Sequence, residues 1–400
     1  MKKQFRSLLV IPVILLMVLS GCVPQGTVSA DKASLDDVVL ALAFNPQISD
    51  LSTKHTGYIA LMRHDGSYEL IKQSAMGTQQ IAWNEQGLFF SDPHKDYLIS
   101  NKPNKGHVVD SPKTQVQNQM LTLEDKTILG TYDVGYDANQ ANTIQIQRYS
   151  PKRSQLVTEK REHIVGLTQC QAGVFALTTG DLTSDEPNQL ILFKVEKDNH
   201  LTRVSAWEYD PEDFIYAGTE ELPCINNHML FSGEQRKTGQ SESSSVARLL
   251  SWNVLEDQPS LLNVTDEKGK ELEVKSEETI SLNIHAHSVN SAENIIAVDS
   301  SRGDVYEINP QSGVIENSVP TARKVSYWTG AFENEANNRY LVVVLEPYGN
   351  ADYGSEIFVY NKETLQLVSR ITPQGELAKM LENKKEVHLN DIAVNPLFNL

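Results

Sequence analysis

The sequence predicts an all-β protein, a seven-bladed β-propeller whose ring is closed by pairing its N- and C-terminal strands. Three observations predict it. A strand–turn–strand pattern recurs seven times along the 400 residues, and each recurrence but the first is preceded by a second, shorter two-strand pattern. The first lacks a partner upstream, and a lone strand pattern stands at the opposite end of the chain.

The recurring pattern is clearest in Asp304–Ile315, DVYEINPQSGVI, where two runs of alternating apolar and polar residues flank an Asn-Pro-Gln-Ser-Gly turn. Alternation with period two buries one face of a strand, and Asn, Pro and Gly supply the dihedral angles of a tight reversal. In chain order the hairpins fall at Tyr58–Ile71, Tyr97–Val109 (the weakest), Thr143–Val157, Gln189–Arg203, Arg248–Leu262, Asp304–Ile315 and Glu356–Leu367. Spacings of roughly 40 to 55 residues lie in the range of propeller blades. The preceding pairs are Ala82–Phe90, Leu121–Leu129, Gln169–Leu177, Pro223–Phe231, Ser288–Val298 and Thr329–Val344, each an apolar piece, a polar turn and an apolar run. Val387–Pro396 is the lone strand, expected to join the first hairpin and so leave no free sheet edge. Two short stretches are expected to be helical, Asp31–Leu42 and Gln374–Asn383.

The formal charge is −17, and the first 21 residues hold three bases (Lys2, Lys3, Arg6) and no acid, so their removal leaves the remainder more negative still. Binding a polyanion requires Lys and Arg to neutralise its phosphates, which argues against nucleic acid or an anionic lipid surface as a partner.

Met1–Arg6 is basic and Leu8–Leu19 is an apolar run short for a membrane span, the layout of a secretory signal peptide. It ends in Leu19-Ser20-Gly21-Cys22, which resembles the lipobox of bacterial lipoproteins at all four positions. The resemblance implies cleavage before Cys22 and a diacylglycerol, with acyl chains such as palmitate, on its thiol. The expected organisation is therefore residues 1–21 as lipoprotein signal peptide, 22–35 as lipidated cysteine and flexible tether, and 36–400 as the propeller domain. Location would be extracytoplasmic, anchored to the cell membrane, because two acyl chains at about 0.8 kcal/mol per buried methylene hold stably where one does not.

The repeated turns, together with IIAVDSSRGDVYEINPQSG (Ile295–Gly313) and NDIAVNP (Asn390–Pro396), resemble the seven-bladed propellers of the quinoprotein and lactonase-like group over Asp36–Leu400. This architecture hosts lyases, lactonases, dehydrogenases and binding scaffolds alike, so the resemblance implies fold more than activity. The function expected first is a binding or scaffolding module at the cell surface, taking a protein, peptide or glycan. The alternative is a lyase or lactonase-type hydrolase centred on the channel. Its candidate catalytic residues are His285, His287, His388 and Asp391, placed on inner strands of different blades, where imidazole and carboxylate suit acid–base work. The three histidines are also the candidate ligands for a divalent metal, the one cofactor for which residues offer themselves. The competing explanation places His285-Ala286-His287 in an ordinary loop and Asn390-Asp391 at a turn. No nucleophile elbow, phosphate loop or calcium loop is present in the sequence.

Cys170 and Cys224 are the cysteines beyond Cys22. They fall at the same point of successive blades, where Cα atoms are expected to lie beyond the roughly 7 Å a disulfide can span, so two buried thiols are expected. Trp83, Trp207, Trp252 and Trp328 are read as packing between blades.

Overall fold

The computed structural model describes residues 26–46, 55–102, 107–110, 117–136, 142–149, 155–160, 163–179, 188–210, 214–216, 221–236, 245–274, 282–323, 330–347, 351–382 and 387–400. They form seven sheets arranged as a β-propeller, antiparallel but for one short parallel edge strand on the first. The lipobox and Trp328 lie outside the described residues.

Blade 1 combines the two ends of the chain. His388–Val394 is its inner strand, followed outward by Val38–Asn45, Thr56–Arg63 and Tyr68–Ser74. Leu40 lies opposite Val394 and Leu42 opposite Ile392, so the ring closes with one C-terminal strand and three N-terminal ones. Val38–Asn45 (VVLALAFN) is buried along its whole length. It occupies part of the stretch expected to be helical, Asp31–Leu42, and corrects that expectation. Asp37 takes φ 59°, which breaks a helix at its approach, and a strand sandwiched between two neighbouring blades is apolar on both faces, hiding the period-two alternation. The other expected helix forms at Gly375–Glu382, with Leu377 and Leu381 fully buried.

Blades 2 to 7 follow in order, each beginning at the centre. Their inner strands are Ala82–Asn84, Gln117–Thr122, Ile164–Cys170, the pair Phe214–Tyr216 and Cys224–Ile225, Leu282–Asn283, and Gly330–Ala336. Every expected hairpin forms the outer half of a blade. In blade 6, Val305 pairs with Val319 around a turn in which the Asn309 side chain accepts the amides of Gln311 (3.0 Å) and Ser312 (3.1 Å). Asn361 does the same for Glu363 (2.9 Å) and Thr364 (3.0 Å) in blade 7. Gly313 closes the first turn with φ 73°, and a Cβ there would meet the backbone oxygen of Asn263 in blade 5. Leu365 accepts the same conformation (φ 54°) in the second, where its side chain is buried in the blade 6–7 core.

The core is divided into seven apolar clusters, one between each pair of neighbours. Trp83 packs in the cluster between blades 1 and 2, and Trp252 with Trp207 in that between blades 4 and 5. The thinnest is between blades 2 and 3, where Ala82, Met120 and Ile128 are its buried members and Phe89 and Tyr149 pack against them. Beside it lies a cavity of about 740 Å³ counting its open side, walled by Phe89, Phe90, Tyr97, Leu98 and Met120. Hydroxyls complete this seam: Ser91 (2.8 Å) and Tyr149 (2.9 Å) donate to Asp96, and Tyr149 pairs with Tyr132. Burial raises both tyrosine hydroxyls well above their usual range, keeping them protonated.

Cys170 and Cys224 form a disulfide with Cα atoms 5.4 Å apart, which corrects the expectation of two thiols. The inner edge of blade 5 is broken, and between its two pieces Glu221 makes a parallel bridge to Leu167 of blade 4. The Leu222 amide donates to the Leu167 carbonyl (2.8 Å), and Thr168 Oγ1 donates to the Leu222 carbonyl (2.6 Å). These bonds draw Cys224 against the neighbouring strand, a displacement that strict equivalence of blades does not foresee.

Two outcomes test this architecture. Gly313→Ala, which adds a Cβ against the blade 5 backbone at positive φ, should lower the urea-unfolding free energy by about 1–3 kcal/mol. Cys170→Ser, Cys224→Ser should lower it by about 2–4 kcal/mol, since the bridge closes a 54-residue separation, and reductant should affect the native protein alike and the double variant not at all.

Candidate functional site

The inner strands converge on a cavity of about 430 Å³, counting its open mouth. Thr122, Ala336 and Val394, the last residues of their strands, place it where the inner strands end. Its polar walls come from Gln80, Glu221, His285, His287, Glu335 and Asp391, contributed by five blades. Three of the four sequence candidates are thus brought together.

His285 and His287 follow the short inner strand Leu282–Asn283 of blade 6. The His285 amide donates to Ser288 Oγ (3.3 Å) and the Ser288 amide to the His285 carbonyl (2.9 Å), which fixes the turn carrying both imidazoles. The buried Lys362 of blade 7 donates to the His287 carbonyl (3.0 Å) and ties that turn to the next blade. Burial lowers the pKa of this ammonium, and the Glu363 and Glu335 charges oppose the shift.

Each imidazole faces one carboxylate. His285 Nδ1 is 3.6 Å from Glu335 Oε2, and His287 Nε2 is 3.9 Å from Glu221 Oε2, attractive spacings longer than hydrogen bonds. Burial, with a smaller contribution from His287, lowers His285 to about 4. For His287 burial is again the largest cause, followed by Lys362 and Lys126, and the value is also about 4. Its side chain nevertheless keeps 45% exposure, so cavity water moderates the shift there more than at His285, which is 14% exposed. At neutral pH the cavity therefore presents two uncharged rings, each able to donate and accept a hydrogen bond, beside acidic side chains.

Asp391 has a structural task. Its Oδ2 accepts the Ile81 amide (2.6 Å) and its Oδ1 the Ile392 amide (2.8 Å), fastening the closing strand to the chain entering blade 2. His388 does not line the cavity. It begins the same strand opposite Asn45, three residues or about 10 Å before Asp391. Among the described residues, no three His, Cys, Asp or Glu side chains are grouped so as to hold a metal ion.

Glu221 and Glu335 were not singled out in the sequence. Glu335 lies within the inner strand of blade 7, and Glu221 between the two pieces of the broken inner edge of blade 5. A carboxylate beside an inner strand is the signal that would have marked both.

No protein-family profile and no curated protein matches this sequence. Solved structures of similar fold include apo AztD from Citrobacter koseri, 10% identical over 89% of this chain and 98% of that one, TM-score 0.44. Another is the dihydro-heme d1 dehydrogenase NirN in complex with DHE, 10% identical over 94% and 78%, TM-score 0.44. A third is the α-L-arabinofuranosidase Arb93A from Fusarium graminearum with an iminosugar inhibitor, 8% identical over 82% and 99%, TM-score 0.45.

The low pKa of His285 has a definite consequence for stability. An imidazole at about 4 when folded and about 6.5 when unfolded makes the unfolded chain bind more protons between those values. Stability from this group is complete above pH 6.5 and is lost as pH falls toward 4, by about 2–3 kcal/mol. Urea unfolding across this window, with His285→Gln as control, should show the loss in the native protein and a shallower one in the variant. The His285 ring should titrate near 4 by NMR.

Proposed function

We propose that this protein is a lipid-anchored, extracytoplasmic propeller that binds or scaffolds a protein, peptide or glycan at its channel mouth. The observation that carries the reading is the Cys170–Cys224 disulfide between two blades. Structural bridges persist in oxidising compartments outside the cytoplasm, which is where the basic and apolar N-terminus followed by Leu-Ser-Gly-Cys would send the chain. No helix among the described residues is long and apolar enough to cross a membrane; in this reading acyl chains at Cys22 hold the protein to the bilayer.

The cavity supports recognition. Its imidazoles and the side chains of Glu221 and Glu335 offer acceptors and donors on a rigid frame, matching a ligand rich in hydroxyl or amine donors. An enzymatic reading, lyase or lactonase-type hydrolysis, draws on the same two neutral imidazoles acting as bases at neutral pH.

Expression of the full chain and of Cys22→Ser should place the native protein in the membrane fraction with a labelled fatty acid attached, and the variant in the soluble extracytoplasmic fraction without it. An unlabelled native protein would end the lipoprotein reading. Photo-crosslinking from position 287 on intact cells should join the protein to a ligand that Glu221→Gln with Glu335→Gln releases at least tenfold more readily. Turnover of a lactone or uronide abolished by His287→Ala would favour the enzyme instead.

A further inference from the structure

The expected tether is not free over its whole length. Thr27–Val28 docks as a fifth strand on the outer edge of blade 1, parallel to Tyr68–Ser74, with Thr27 opposite Leu70 and Val28 opposite Ile71. The chain then turns through Ser29–Ala33 and buries Ala30 and Leu35 in the cluster between blades 1 and 2. Only Val23, Pro24, Gln25 and Gly26 separate Cys22 from the docked strand. Fully extended, that distance is at most about 18 Å, and as a flexible chain roughly 12 Å. A tether reaching to Leu35 would leave the domain freer to tumble than this shorter spacer would.

Resting on the lipid-anchor reading, we propose that the propeller stands with the outer edge of blade 1 against the bilayer surface, its two flanking blades forming the rest of the contact. Those flanks carry exposed apolar side chains on their outer strands, Val108 (41%) and Val109 (60%) on blade 2 and Leu367 (38%) and Val368 (46%) on blade 7. The occupant of this edge is the headgroup layer of the membrane that holds the acyl chains. Blades 3, 4 and 5 also expose apolar side chains, Leu156 (38%), Val204 (37%), and Leu255 (69%) with Leu261 (41%), yet blades 4 and 5 lie across the ring from blade 1, beyond the reach of a four-residue spacer, and blade 3 is not its neighbour. In this orientation the blade 1 rim is at the membrane and the rims of blades 4 and 5 point away from it.

The experiment uses the lipidated full chain in phospholipid vesicles containing a headgroup-borne quencher. Single reporter cysteines are introduced as Lys72→Cys on the blade 1 edge and Thr202→Cys on blade 4, both at exposed positions, and labelled with a fluorophore. Quenching should be at least fivefold stronger at 72 than at 202. Inserting twenty Gly/Ser residues after Gly26 should bring the two toward equality while the bound fraction stays the same. Equal quenching at both sites with the native spacer, in protein that remains vesicle-bound, would overturn the orientation and leave the anchor intact. Vesicle binding that persists in Cys22→Ser would overturn the anchor reading itself.

Discussion

Everything in this structure depends on closing the ring. A propeller blade has two apolar faces and buries both only when it has a neighbour on each side, so an open array would leave two faces and a sheet edge in water. Here closure rests on the pairing of His388–Val394 with Val38–Asn45, and that joint is secured by polar groups as well as by leucines. Asn45, fully buried, donates to Asn390 (2.8 Å) and Gln79 (3.0 Å) and accepts the Met76 amide (2.9 Å). Gln79 in turn donates to the Ser91 carbonyl (2.5 Å) and accepts from Gln73. A Cβ at Gly57 would strike the Asn45 side chain, so glycine there leaves room for it. Buried amides cost about 1–3 kcal/mol each when a partner is missing, so this network favours one register of the closing strand over its slips.

The same joint shapes the candidate site. Asp391 sits on the closing strand and holds the chain entering blade 2, so the cavity wall is complete only in the closed ring. His285 and His287 are aimed by a turn that a buried lysine from blade 7 fastens. The site is assembled from residues far apart in sequence because each blade contributes only one short segment to the axis.

That geometry explains what was legible in the sequence. Outer hairpins such as DVYEINPQSGVI combine alternation with an Asx turn, both local signals, and all seven appear in the structure. Inner segments are short or broken, as at Leu282–Asn283 and Cys224–Ile225, and their neighbours come from other blades. Hence the disulfide, which depends on the parallel bridge between Leu167 and Glu221, and the pairing of His285 with Glu335 were not to be found by spacing. Val38–Asn45 was missed for a different reason: a strand covered on both faces loses the alternation that identifies a half-exposed one.

The composite blade also sets an order of events for a chain that emerges from its N-terminus. Blades 2 to 7 can each finish locally, but Val38–Asn45 must wait for the last dozen or so residues before its inner edge is paired. Until then one of the most apolar strands of the molecule has an unsatisfied backbone edge, the arrangement most prone to pair with a second nascent chain. A truncation that removes His388–Val394 therefore makes a chain with six complete blades and an adhesive seventh. For a polypeptide that crosses a membrane as it is made, the dangerous interval would be the whole duration of its passage.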